Sequence, residues 1–596
     1  MAGRILVISE KPSAARRLAQ ALDEGNTPLA RREGKVIYYV ARREGNELVV
    51  VSALGHLYGI AQKGGRWTYP VFETRWVPSY MADKRQQRSR EYIKVIEHLS
   101  GGATGFVSAC DFDTEGSLIA YMILLNVCGE GSVEKARRMR YSTLTDEELL
   151  SSWSRMGDLD HRVIEAGKAR HEVDWLYGIN LTRALTLSIR SVDRTRQVLS
   201  IGRIQGPTLV FIDERERQID SFNAQPYWVI EAGTEINGEK LKLQYAKSRI
   251  ETREEAENIV EGCRGKGGVI HGVRVDERVI SPPPPFNLGS LQREAYKMFR
   301  LSPRKTLNAA EKLYLGAFIS YPRTSSERLP PSVDLRAILQ GLRRNNDYRE
   351  AASRLLNLPD LKPKDGRGRD PAHPAIHPTG ERPRKLSMVE RRVYDLICRR
   401  FMACLSGESV RSNTVADVDI GGHLFHLRGS QILEKGWIEH YGPYYRGKEV
   451  AIPELEAGRK ATISSMDVRR VMTSPPPRFN AASLLKKMEV ARIGTKATRT
   501  DIIDTLHRRG YVRGETFEIT ELGKAIIGTL GRYVPEILSV EMTRILEADL
   551  EAIMAGEVSG ESVVNKAVER LEPLLLRFKE EESSIGQEIV ETLPAK

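Results

Sequence analysis

Two proline runs, Ser281-Pro-Pro-Pro-Pro285 and Pro475-Pro-Pro477, are followed by nearly the same phrase. The first leads into Phe286-Asn-Leu-Gly-Ser-Leu291 and the second into Phe479-Asn-Ala-Ala-Ser-Leu484, an offset of 193 residues. Leu313 and Leu506 stand near the ends of the following helical stretches at the same offset. A proline run is stiff, extended and unable to enter a helix interior, so each marks a boundary. The pattern predicts one small helical unit used twice. Only the first copy runs on into Tyr321-Pro-Arg-Thr324; the second continues into Arg509-Gly-Tyr-Val512. Chemistry is therefore expected in the first copy and a scaffold or binding surface in the second.

The rest of the chain is organised around these units. With 596 residues it is too long for one hydrophobic core. Residues 1–150 alternate strand and helix signals: Ile5–Ile8, then Pro12–Leu22 with Ala14, Leu18, Ala19 and Leu22 on one face, Leu48–Val51, Phe106–Ala109 and Gly116–Val127. That alternation predicts a parallel α/β sheet. Residues 151–217 read as helical and 218–280 as β-rich. Residues 281–385 form a helical block ending in a long Pro-, Gly- and charge-rich loop from 357. Residues 386–465 open with a helix near Met388–Leu405 and return to strands, and 466–596 are helical to the end.

Lys and Arg number 91 against 79 Asp and Glu, with a sequence pI near 9.3, which favours a polyanionic partner but equally describes a solvated surface. No two of the five cysteines form a Cys-x-x-Cys pair, which argues against a disulfide framework or zinc ribbon and for a reducing compartment. No apolar run approaches the ~20 residues of a membrane span. The first residues carry no export pattern, so a cytoplasmic protein is expected.

Two segments carry chemistry. In Asp111-Phe-Asp-Thr-Glu-Gly116 the spacing of Asp111, Asp113 and Glu115 puts three carboxylates on one side if the strand from Phe106 continues, and Gly116 allows a turn into the next helix. Crowded carboxylates need a cation, and Mg²⁺ suits them. An EF-hand would need an acid at the twelfth position, where Met122 stands. Alone, the segment reads equally as a solvated acidic turn. Glu10-Lys11 ends the first strand and faces the same sheet edge. The second segment is Gly316-Ala-Phe-Ile-Ser-Tyr-Pro-Arg-Thr324. A phenol of pKa about 10 is a poor nucleophile unless cations sit near it. Arg323 supplies one and Lys11 could supply another, while a core tyrosine beside a surface arginine is the plain alternative. His373 and His377 have a zinc-like spacing, but Pro374 and Pro378 exclude the helix it needs.

Glu10-Lys-Pro-Ser13 with Asp-x-Asp-x-Glu-Gly a hundred residues later resembles the Toprim domain of topoisomerases, primases and some nucleases. The tyrosine segment is similar to the active-site motif of type IA DNA topoisomerases. Further segments resemble that family in order: Gly55-His-Leu57, Arg170-x-x-x-Asp174, Ser200-x-Gly-Arg-x-Gln-x-Pro207, His373-x-Ala-Ile376, Gly494-Thr-x-x-Thr-Arg499 and Arg509-Gly-Tyr-Val512. Arg170 and Asp174 alone would read as a helix ion pair. The Glu-Lys-Pro-Ser start looks nearer the topoisomerase III and archaeal branch, without C-terminal zinc ribbons.

The resemblance implies a Toprim α/β domain, helical (winged-helix-like) domains and a β-rich hinge arranged as a torus. It implies ATP-independent, Mg²⁺-dependent cleavage of one strand by Tyr321 through a 5′-phosphotyrosine, then strand passage and religation. Glu10 would serve as proton donor, Lys11 and Arg323 as phosphate stabilisers, and His373 as an organiser. Asp111, Asp113 and Glu115 would hold the metal. Arg170, Asp174, Ser200, Gly202, Arg203 and Gln205 would line a single-strand groove. Negatively supercoiled or catenated DNA is the implied partner, RNA remains open, and a nucleoid-associated monomer is expected. A Toprim primase or nuclease, or a non-catalytic single-strand-binding scaffold, are the alternatives.

Overall fold

The computed structural model describes residues 3–193, 198–236, 238–496 and 498–592. The amino-terminal sheet has six strands in the order 29–33, 36–43, 46–52, 4–9, 105–108, 136–138. The last four in that order run parallel, and an antiparallel hairpin extends the other edge. The expected strand–helix alternation is present, with Ala14, Leu18, Ala19 and Leu22 of helix Pro12–Leu22 buried against the sheet.

Both proline-led copies fold alike. Asn287 and Asn480 each cap a helix, Leu288–Phe299 and Ala481–Ala491, in a reciprocal box with Ser290 and Ser483. Both helices end on a left-handed arginine, Arg300 and Arg492, each at φ 56°. The copies then face one another. Arg293 pairs with Glu489, Arg304 with Asp501 and Asp504, and the Gln292 amide donates to Thr500. A short antiparallel pair, Val512–Arg513 with Glu518–Ile519, follows the second copy as a small wing.

The β-rich segments close into one barrel of strands 239–245, 423–434, 409–420, 268–280, 460–472 and 226–236. Its interior is filled by Ile230, Leu243, Ile270, Val418 and Phe425 among others. The chain enters at Pro226, which is paired with Met472 where it leaves. It departs midway at Ile280 and returns at Ser409, and these two residues are also paired. Residues 281–408 are thus an insertion hung from two neighbouring strand ends.

One sequence grouping is corrected. Helix Met388–Cys404, placed with the second β-rich segment, packs against helices Pro303–Leu315 and Leu288–Phe299 instead. Its Val393, Ile397 and Phe401 share a core with Leu313, Tyr314 and Tyr321, and with Ala14 and Leu18 of the helix that packs on the amino-terminal sheet. Its apolar face needs that burial, and the barrel interior is already full. A second core joins helix His161–Val192 to the later helices through Leu176, Leu185, Leu484, Met488, Leu571 and Phe578.

Candidate active site

The carboxyl ends of the parallel strands collect the acidic and basic groups, where open α/β sheets bind ligands. Glu10 and Lys11 follow strand 4–9, Asp111 and Asp113 follow strand 105–108, and Ser142 follows strand 136–138. The carboxylates do not gain their positions from strand alternation, because the strand stops at Ser108. Asp113 N–H donates to the Asp111 carbonyl in a tight turn, and Asp113 then caps helix Thr114–Val127 by accepting from Gly116 N–H at 2.8 Å. Gly116 is required for a different reason than a turn. A Cβ there would lie 2.1 Å from the Asp111 carbonyl oxygen. Gly116→Ala is therefore expected to push Asp111 off its position and to cost about 1–3 kcal/mol of stability, as overpacking does. Urea unfolding of the variant beside the parent checks this.

Charge is concentrated here. Lys11 Nζ lies 3.0 Å from both Glu10 Oε1 and Asp111 Oδ2. Tyr314 donates its hydroxyl to Asp111 Oδ1 at 3.0 Å. Burial, then the Asp111 carboxylate and more weakly Asp113, push Glu10 up to about 8 against the opposing pull of Lys11. Burial alone would lower the Lys11 ammonium, but Asp111 and Glu10 outweigh it and hold Lys11 above its ordinary value. Glu10 is thus held toward its protonated form beside the Lys11 ammonium. Beneath the loop lies Arg138, only 2% exposed. It donates to Ser108 Oγ and to the carbonyls of Ser108, Cys110 and Asp111 at 2.7–3.3 Å.

Tyr321 meets this pocket directly. Its hydroxyl donates to Asp113 Oδ2 at 2.5 Å, and its backbone N–H donates to the Ser142 carbonyl at 2.7 Å. The ring packs on Tyr314 and His373, with centroids at 5.2 and 4.5 Å, and the residue is 3% exposed. Burial and the Asp113 and Asp111 carboxylates hold the phenol well above its ordinary value, with Arg323 opposing. His373 Nε2 lies 2.8 Å from the Phe112 carbonyl, which can only accept, so Nε2 carries the proton. Nδ1 then accepts from Ser142 Oγ at 2.9 Å. Burial lowers this imidazole and keeps it neutral. Arg323 is held by Glu311. Asp370 accepts from the N–H groups of Ala372 and His373 and binds Lys496 of the second helical copy, so that copy braces the His373 segment.

Glu115 stands apart from the other two acids. Its Oε2 accepts from His56 Nε2 at 2.7 Å and His171 Nε2 at 2.9 Å. The three-carboxylate cluster expected from spacing is therefore split. Asp111 and Asp113 join Glu10, while the first helical turn rotates Glu115 toward two imidazoles. Asp111 and Asp113 stand near enough to Glu10 to add to the effect of its burial, and oxygen donors of this kind suit a hard cation.

The groove residues form a network of their own. Arg203 is 3% exposed and is bound to Asp174 at 2.6 Å and Glu547 at 2.7 Å; Arg170 holds the other Glu547 oxygen at 2.9 Å. Arg203 is therefore an anchor rather than a side chain reaching outward. Ser200 Oγ, Arg203 Nη2 and Gln205 Oε1 are nonetheless buried without a partner. A Cβ on Gly202 would meet nothing nearer than 3.9 Å. Although burial would raise it, Glu547 is held down at about 2 from 4.5, mainly by Arg203 and Arg170. Its contribution to stability is full above about 4.5 and is lost as pH falls through about 2. Glu547→Gln is expected to remove on the order of 3 kcal/mol at neutral pH and to flatten acid unfolding in that window, as read by urea titrations across pH.

Tyr314, Arg138, Ser142, Glu311 and Lys496 were not anticipated as site residues. Only Lys496 lay inside a quoted motif, and none has a spacing that separates it from an ordinary core or surface residue.

A family model described as DNA topoisomerase matches residues 158–565, and one described as the Toprim domain matches 5–144. DNA topoisomerase 1 of Pyrococcus horikoshii is 44% identical over 589 residues, covering 98% of this chain and 86% of that protein. The Methanocaldococcus jannaschii protein of the same name is 40% identical over 596 residues, covering 99% of this chain and 76% of that one. The structure of full-length topoisomerase I from Thermotoga maritima shares the fold, with a TM-score of 0.74 over 96% of this chain and 90% of that chain at 21% identity. Among the described residues no helix is long and apolar enough to cross a membrane. The Toprim match alone would leave a primase or nuclease open, but the match across residues 158–565 removes that choice. The chain belongs to the type IA DNA topoisomerases.

Proposed function

We propose that Tyr321 is the nucleophile of a reversible single-strand cleavage and that Glu10 protonates the leaving oxygen. The observation that carries this reading is the seating of the Tyr321 hydroxyl on Asp113, in the pocket that holds Asp111, Lys11 and a protonated Glu10. The phenolic oxygen bonds to phosphorus and the bond from phosphorus to O3′ breaks. The phenol proton passes to Asp113, already its hydrogen-bond acceptor, and O3′ takes the Glu10 proton. Lys11 and Arg323 place positive charge near the non-bridging oxygens. His373, neutral and bonded through both ring nitrogens, holds the ring of Tyr321. Reversal of the same steps reseals the strand, and the phosphotyrosine keeps the bond energy, so no nucleotide is consumed.

Asp111 and Asp113 would hold Mg²⁺, which when bound supplies charge neutralisation at the cleaved phosphate, with Glu10 beside them as the proton donor. A single-strand groove would run over the segment from Ser200 to Gln205, where Gly202 leaves open space and the buried Arg203, held by Asp174 and Glu547 with Arg170, fixes the backbone. Residues 1–150 act as the Toprim unit and the barrel as the hinge that lets 281–408 part from it. Negatively supercoiled or catenated DNA would pass through that opening. Nucleophile, acid and gate lie in one chain, which supports a monomer. Five free cysteines support a reducing, cytoplasmic setting beside the nucleoid.

The test is a labelled single-stranded oligonucleotide quenched with denaturant. A 3′ label is expected on the protein, in the peptide carrying Tyr321, and a 5′ label on a shorter free fragment. A 5′ label on the protein, or no adduct, overturns the reading.

A further inference from the structure

Glu115, His56 and His171 come from three separate elements and converge on one point. His56 follows Leu54 and Gly55, both left-handed at φ 58° and 87°, beyond the end of strand 46–52. Leu54 is a non-glycine residue in that region, a strained choice that aims the next side chain. His171 projects from helix His161–Val192, and Glu115 from the first turn of helix Thr114–Val127. The two helices approach closely at Gly167, one turn before His171, where a Cβ would lie 3.1 Å from Thr114 Cγ2. The imidazole rings are 4.7 Å apart, and one ligand atom from each of the three residues lies within 4.8 Å of the others. The side chains are 27%, 34% and 30% exposed for His56, Glu115 and His171, so the point of convergence is open to solvent.

We propose that His56, Glu115 and His171 form a binding site for a divalent transition ion such as Zn²⁺, separate from the carboxylate set of Glu10, Asp111 and Asp113. Two imidazole nitrogens and one carboxylate oxygen are the donors of open zinc sites, with further positions left for water or a phosphate oxygen. Mg²⁺ prefers oxygen ligands and gains little from imidazole, so the two sites differ in the ion they select. Beyond Glu115, which the family resemblance had grouped with Asp111 and Asp113, the cluster uses no residue assigned to the strand-cleavage step, and its occupancy is read without DNA, so this proposal and that one fail independently.

Full-length protein stripped with a chelator is titrated with Co²⁺. One equivalent is expected to give a visible ligand-field band that Zn²⁺ abolishes and a large excess of Mg²⁺ leaves in place. His56→Ala and His171→Ala are each expected to weaken Co²⁺ binding at least about 100-fold, no less than the loss of an outer-shell partner of a metal site. Asp111→Asn/Asp113→Asn should bind Co²⁺ as the parent does. Absence of a band in the parent protein overturns the proposal and leaves the histidines as a hydrogen-bonded clamp on Glu115. A band displaced by Mg²⁺, or lost with the two aspartates and kept without the histidines, overturns it as well. The parent spectrum and its response to Mg²⁺ decide the matter even if a histidine variant fails to fold.

Discussion

Tyr321→Phe yields a protein that binds single-stranded DNA and does not cut it. The change removes one oxygen, and that oxygen is the only atom of the ring seated on the acidic loop. Cleavage is expected to fall at least about 10⁴-fold, as for other lost nucleophiles. The fold should survive. The ring keeps its contacts with Tyr314 and His373, and Tyr321 N–H keeps the Ser142 carbonyl. Asp113 loses one donor but retains Gly116 N–H, so the stability change should stay within about 1–2 kcal/mol. Gel shift of an oligonucleotide, adduct yield and a thermal melt measured together check all three parts. Persistent cleavage would transfer the chemistry to the acidic residues acting alone.

Arg138→Ala should be as damaging to activity and far worse for the fold. Its guanidinium satisfies three carbonyls and a hydroxyl between Ser108 and Asp111. Truncation orphans those acceptors and opens a cavity under the Asp111–Asp113 loop, an expected cost of about 3–5 kcal/mol. Arg138→Lys should recover little, because one ammonium cannot span four acceptor atoms spread over three residues. Urea unfolding with adduct yield at a temperature where the variant is still folded separates the two effects. A loss below about 1 kcal/mol would mean that water replaces the guanidinium.

Much of this was readable in the chain. The duplicated phrases gave two copies of one unit because capping residues and proline boundaries act locally. Glu10, Asp111 and Asp113 could be placed at one sheet edge because strand ends in an α/β sheet come together there whatever the side-chain detail. The barrel could not be read so directly. Its strands pair across more than a hundred residues, for example Ile280 with Ser409, and alternation within one strand does not name its partner. The placing of helix Met388–Cys404 failed for the same reason: its apolar face is visible in sequence but the surface it meets is not. Glu115 was misjudged because the strand was taken to run on past Ser108, and a helical turn points successive acids to different sides. Arg138 and Tyr314 are single buried polar residues, and only the carbonyls and carboxylate they meet reveal their importance.

The paired entry and exit of the barrel have a mechanical consequence. Ile280 and Ser409 are register partners, as are Pro226 and Met472, so the piece bearing Tyr321 is joined to its support by a two-stranded ribbon rather than a single thread. Such a ribbon bends in one sense more readily than it twists or stretches. A severed DNA end fastened to Tyr321 would travel along one arc and come back along it to the end it left. The work of parting would be spent on the shared apolar core, the phenol, the imidazole and the facing arginine–carboxylate pairs rather than on unzipping strands.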